Sequence, residues 1–196
     1  MKRNKKGFSL VELIVVISIM GILLGLVVPS VNALFGYEAQ KATGKITALL
    51  DDTKVEAMNR IVAEMELKYV EGDGYYIIQY LDYGIEARNS GFVVQETKVA
   101  SNKVVIRYKR SDKTTPINLK LSGKSLILTF NRETGGFRKV QEGVMDVEKL
   151  QDALDTSKDI PFQDGDGYCE WIEISCGLRT RTIYLQQNTG GYIVKA

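Results

Sequence analysis

The sequence predicts an α+β fold: a long N-terminal helix, its first half membrane-spanning, packed through its second half on an antiparallel β-sheet domain. Three observations predict it. An apolar run begins at Phe8, a helical period continues beyond it, and a two-residue alternation takes over at Val62. The 196 residues are 44% hydrophobic and 26% charged, which suits one globular domain with an appendage.

From Phe8 to Val28 the only ionisable side chain is Glu12. A helix of that length rises roughly 30 Å, the thickness of a bilayer core. The preceding residues 1–7 carry Lys2, Arg3, Lys5 and Lys6 and no acid. That asymmetry holds the leader in the cytoplasm and sends the rest of the chain outward. A secretory signal peptide ending at Val31-Asn32-Ala33 fits the composition, as does an uncleaved anchor, but neither explains a carboxylate in the apolar run. Gly21 and Gly25, with Ser18 a turn earlier, form a small-residue face suited to close helix approach. Pro29 removes a backbone donor and predicts a kink or local melting where the apolar segment, residues 8–29, ends.

Residues 30–61 read as an amphipathic continuation of the same helix. Ile46, Leu49, Leu50, Ala57, Met58 and Ile61 fall on one face, with Lys45, Asp51, Asp52, Lys54 and Glu56 between them. Residues 62–196 read as one β-rich domain. Glu64, Glu66 and Lys68 alternate with Met65, Leu67 and Tyr69 as in a half-buried strand, and Glu71-Gly-Asp-Gly74 makes a turn. Further strands are expected at 75–81, 91–99, 103–110, 125–130, 137–141, 168–176, 181–185 and 192–194, joined as an antiparallel meander. The segment from Val144 to Leu154 reads as a short helix or a loop insertion.

Gly7-Phe8-Ser9-Leu10-Val11-Glu12 resembles the cleavage and methylation motif of type IV prepilins and pseudopilins. The resemblance implies that a membrane-embedded prepilin peptidase cuts between Gly7 and Phe8 and methylates the new Phe8 amine. It places Glu12 at the position of the family's glutamate and Pro29 where many pilins have proline. The partners it implies are other pilin or pseudopilin subunits, an inner-membrane assembly platform, and membrane lipid before assembly. The implied location is a single-pass cytoplasmic-membrane precursor, its C-terminal domain outside, later part of a pilus or pseudopilus at the cell surface. The cationic Phe8 amine of one subunit could then sit beside Glu12 of a neighbour, neutralising both and setting axial register. Leu126 to Gly135 and Arg181 to Gly190 are similar to the C-terminal half of GspH/FimT-like minor pilins and pseudopilins.

The function expected on this basis is a structural subunit of a type IV pilus or a type II secretion pseudopilus. The alternative is a DNA-capturing minor pilin, with Arg107, Lys109, Arg110, Arg179 and Arg181 as candidate contacts beside Lys103 and Lys113. Without the four leader cations, 26 Lys and Arg become 22 against 24 Asp and Glu, which is not a basic footprint. The chain has no histidine, phosphate loop or dinucleotide fingerprint, so no catalytic residue, metal or cofactor is expected. Asp164-Gly-Asp166 suggests a calcium loop or, more simply, a glycine turn. Cys169 and Cys176 are expected unbonded, since a continuous strand would hold them roughly 23 Å apart on opposite faces.

Overall fold

The computed structural model describes residues 9–60, 62–82, 92–145, 147–148, 150 and 166–196, with the side chains at 26–35 and 92–93 outside that description. Helix α1 spans Leu10–Asn59 and continues through Pro29. In its second half Ala39, Ala42, Ile46, Leu50 and Ala57 are buried, three, four or seven residues apart as a single helical stripe requires. Thr43 and Thr53 lie buried in the same stripe, their hydroxyls donating to the carbonyls of Ala39 and Leu49 at 2.7 Å each. Met58, expected on this stripe, is instead 47% exposed, and Ile61 lies outside the described residues. The helix ends where Arg60 turns extended while its N–H still donates to the Glu56 carbonyl at 2.8 Å.

The strands are β1 (Ala63–Val70), β2 (Gly74–Asp82), β3 (Phe92–Ser101), β4 (Val105–Arg110), β5 (Ile117–Asn118), β6 (Ser125–Thr129), β7 (Gln141–Gly143), β8 (Cys169–Cys176), β9 (Arg179–Gln186) and β10 (Gly191–Lys195). A one-turn helix, α2 (Leu119–Ser122), follows β5. These strands form two antiparallel sheets, ordered β3-β2-β1-β6-β7 and β10-β9-β8-β4-β5, where a single meander was expected. The chain crosses to the second sheet after β3, and β6 returns to pair with β1. Alternation reports which face a residue takes, not which strand it pairs with, so the partition is invisible in the sequence. Helix α1 joins the two sheets in one core, where Ile46 and Leu50 meet Met65, Leu67 and Ile77 of the first and Ile106, Ile172 and Ile183 of the second.

The expected hairpin at Glu71 to Gly74 is present, with β1 and β2 paired from Ala63↔Leu81 to Val70↔Gly74. Gly74 has φ +136°, and a Cβ there would stand 2.3 Å from the Ala100 carbonyl, so the position admits only glycine. Residues 137–141 do not form the expected strand. Phe137 makes an isolated bridge to Phe130, and the regular pairing falls at β7. In the 144–154 segment Val147, Glu148 and Leu150 are helical, and the remainder from residue 151 lies outside the described residues.

Strand β1 is buried on both faces, not half-buried. Glu64 and Glu66 are 0% and 3% exposed because Val62, Ile78, Tyr80, Ile127, Met145 and Leu150 form a second apolar cluster over that side. The sequence shows two glutamates in an outward register, and only the later segment around Met145 and Leu150 turns that side inward. Glu66 accepts hydrogen bonds from Tyr80 at 2.8 Å and Ser125 at 2.5 Å, and Glu64 accepts one from Thr129. The other oxygen of Glu64, Oε1, has no hydrogen-bond partner among the described residues. Burial pushes the Glu64 carboxyl up to about 8, against the opposing effects of the Thr129 hydrogen bond and the nearby Arg138 charge.

Candidate functional site

The first turn of α1 is built by Ser9 and Glu12. The Ser9 hydroxyl accepts the Glu12 N–H at 3.2 Å, and the Glu12 carboxylate accepts the Ser9 N–H at 3.3 Å. This is a capping box, and a carboxylate there also complements the helix dipole. Its signal, Ser-x-x-Glu ahead of an apolar run, stands in the sequence, yet the membrane reading of Glu12 passed over it. Gly7 and Phe8, the expected cleavage and methylation positions, lie outside the described residues.

Beyond the cap the helix exposes apolar side chains on every side, from Leu10, Val11 and Leu13 through Ile22, Leu23 and Leu24. A helix apolar all round needs an apolar medium or partner helices. Among the described residues no helix is long and apolar enough to cross a membrane, and the run's side chains from residue 26 fall outside the description. A Cβ on Gly21 or Gly25 would meet nothing within 4 Å, so neither glycine is required by the chain's own packing. Ser18 satisfies its hydroxyl within the helix, donating to the Ile14 carbonyl at 2.7 Å.

The basic residues of the second sheet are mostly neutralised. Arg107 pairs with Glu173 at 3.5 Å and Lys109 with Glu170 at 2.8 Å across neighbouring strands. Arg110 is buried, bound by both carboxylate oxygens of Asp112 at 2.8 and 2.7 Å and by Glu142 at 3.0 Å. It is a structural cation inside the fold and does not belong to an open basic surface. Its hydrogen bonds hold the Asp112 carboxyl below the usual carboxylate range. Arg179 and Arg181, at the start of β9, make no ion pair among the described residues and lie beside Gly36, Tyr37 and Gln40 of α1. The structure thus separates the two basic groups that the DNA reading would combine.

Cys169 and Cys176 are free and both are buried. They end the continuous strand β8, but they do not take opposite faces. A bulge opposite Lys109 and Arg110 inserts one residue into the alternation and returns Cys169 to the core side with Cys176. Burial pushes both thiols up, so neither is a reactive thiolate at neutral pH. Asp164, one half of the calcium-loop alternative, lies outside the described residues.

The two C-terminal segments singled out in the sequence meet in space. The Phe137 N–H donates to the Gln187 carbonyl at 2.8 Å, and a Cβ on Gly190 would stand 1.8 Å from the Gly135 carbonyl. Lys54 of α1 closes the junction by donating to the Thr189 carbonyl at 2.7 Å. A cleft of about 570 Å³ opens beside it, lined by Asn131, Arg138, Lys139, Tyr168 and Asn188 among others.

No solved structure matches this chain. Residues 2–28 match the model of the prokaryotic N-terminal methylation motif. That motif implies processing by a prepilin peptidase and assembly with other pilins, the behaviour of a structural subunit. With its basic leader, its capped Glu12 and a helix whose described apolar side chains are exposed, the chain carries the type IV prepilin signature over residues 2–28.

Proposed function

We propose that this chain is a minor pilin or pseudopilin, a structural subunit of a type IV pilus or a type II secretion pseudopilus. A prepilin peptidase cuts after Gly7, Phe8 becomes the N-methylated terminus, and the subunit waits in the cytoplasmic membrane with its two-sheet domain outside. It then leaves the lipid for a filament of other pilin or pseudopilin subunits, driven through an inner-membrane assembly platform. One observation carries the reading: a single carboxylate, Glu12, at the start of a helix whose apolar side chains from Leu10 to Leu24 no described residue covers. In the free subunit that carboxylate is held by Ser9. In a filament a neighbour's Phe8 amine takes its place beside Glu12, and the low dielectric makes any other register expensive.

The DNA-capture alternative is not adopted. Arg107, Lys109 and Arg110 already face carboxylates, and the remaining pair, Arg179 and Arg181, lies against the membrane-proximal part of α1.

The test is co-expression of the full chain with a prepilin peptidase, read by intact mass. A product starting at N-methylated Phe8 is expected. An unprocessed chain, or one starting at Leu34, would overturn the reading.

A further inference from the structure

The tip of the β8–β9 hairpin is unlike the rest of the domain surface. Gly177 turns the chain at φ +57°, and Leu178 beside it is 87% exposed, an aliphatic side chain at the very end of a hairpin. The next inward-register residues of β9, Arg179 and Arg181, bring two guanidiniums to the same place. Arg179 lays its aliphatic stem across the helix: a Cβ on Gly36 would meet Arg179 Cγ at 3.5 Å. Tyr37, 61% exposed, stands next to it, with the Lys41 ammonium 5.9 Å from its ring centroid. Gly36, Tyr37, Gln40, Leu178, Arg179 and Arg181 thereby line a groove of about 590 Å³, which Ala196 also borders. The acid nearest in sequence is Glu38, and between Glu12 and Glu38 the chain has no Asp, Glu, Lys or Arg.

Height along the helix decides what this groove faces. Gly36 lies eight residues beyond Val28, roughly 12 Å of rise, a few ångströms outside a headgroup layer about 5–8 Å deep. An arginine reaches several ångströms further down, keeping its stem on apolar surface and its charge among phosphates. Tyrosine at the end of an apolar helix is usual in that zone, and an arginine there can keep its charge among the headgroups.

We propose that this hairpin is a lipid-contacting foot. While the subunit is still in the bilayer, Leu178 enters the headgroup layer and Arg179 and Arg181 pair with the phosphates of anionic lipid. The contact fixes the tilt of the domain over the membrane and is given up when the subunit joins a filament. The inference rests on the anchored-precursor reading above.

The experiment uses the full chain in lipid nanodiscs with a nitroxide at Leu178→Cys or, separately, at Tyr37→Cys; Cys169 and Cys176 are buried and stay unlabelled in the native protein. Collisions with a water-soluble nickel chelate are compared between phosphatidylcholine discs and discs containing phosphatidylglycerol. At position 178 collisions should fall about threefold in the anionic discs, and Arg179→Ala with Arg181→Ala should abolish most of that protection. A label at 178 that stays fully aqueous in both lipids, while the label at 37 is protected, would overturn the inference alone. Aqueous signals at both positions would overturn the inference, and an aqueous signal from a third label at Leu23→Cys, inside the apolar run, would overturn the anchored reading with it. Protection at 178 that ignores lipid charge but grows with the number of chains per disc would assign the groove to another copy of the chain, and would also overturn it.

Discussion

Ser9 and Glu12 hold each other at the first turn of α1, each accepting the other's backbone N–H, at 3.2 and 3.3 Å. The residue expected to select a neighbour is therefore already occupied in the single chain. On the proposed assembly a local cap is exchanged for a charge pair between subunits, and the two roles can be separated. Glutamine caps as well as glutamate at this position but carries no charge. Glu12→Gln should be processed like the wild type yet enter filaments at least tenfold less, a loss of about 1.4 kcal/mol or more. The ratio of mature to filament-bound subunit measures it. Wild-type incorporation of Glu12→Gln would reduce Glu12 to a helix cap.

The two arginines of β4 should behave differently when removed. Arg110→Ala leaves Asp112 and Glu142 with an uncompensated partly buried charge and should destabilise the domain by about 3–5 kcal/mol. Arg107, whose side chain is 47% exposed opposite Glu173, should lose less than about 1 kcal/mol on the same change. Urea denaturation of the two variants compares them directly, and equal losses would refute the internal role of Arg110.

Two glycines with similar positive φ should also diverge. At Gly72, φ +79°, a Cβ would meet nothing within 4 Å, and Gly72→Ala should cost about 1–2 kcal/mol of backbone strain alone. At Gly190, φ +60°, the Cβ would strike the Gly135 carbonyl, so Gly190→Ala must also part the two loops and should cost at least about 3 kcal/mol. Melting temperatures of the two variants provide the measurement.

Glu64 makes the fold sensitive to pH. Its carboxyl is raised from 4.5 to about 8, chiefly by burial, with Thr129 and Arg138 opposing. The native state therefore holds a proton that the unfolded state has released, and stability falls as pH rises from about 4.5 to about 8. Each unit of that window is worth up to about 1.4 kcal/mol. Glu64→Gln, neutral throughout, should flatten the dependence of the urea midpoint on pH across this range. An unchanged slope would mean that Glu64 is not the group responsible.

Much of this architecture is written locally. The basic leader, the apolar run, the stripe of Ala39, Ala42, Ile46 and Leu50, and the Glu71 to Gly74 hairpin each depend on residues within a few positions of one another. So does the Ser9–Glu12 cap, which the Ser-x-x-Glu spacing announces.

Other features come from distant segments. The strands divide between two sheets because β6 pairs with β1 and β4 with β8, partners more than fifty residues apart. Glu64 and Glu66 are internal because Met145 and Leu150 cover them, and Arg110 is internal because Glu142 reaches it from β7. Cys169 joins Cys176 in the core because β8 gains a bulge against β4.

By itself the sequence determined the prepilin signature, the long helix and the α+β class, since capping, periodicity and turn chemistry act over one or two turns of chain. Only the tertiary structure decided which charges are buried, which are paired, and which two arginines are left beside the helix. Burial and pairing belong to whatever residue arrives on the other side of a strand, and no local pattern specifies that arrival.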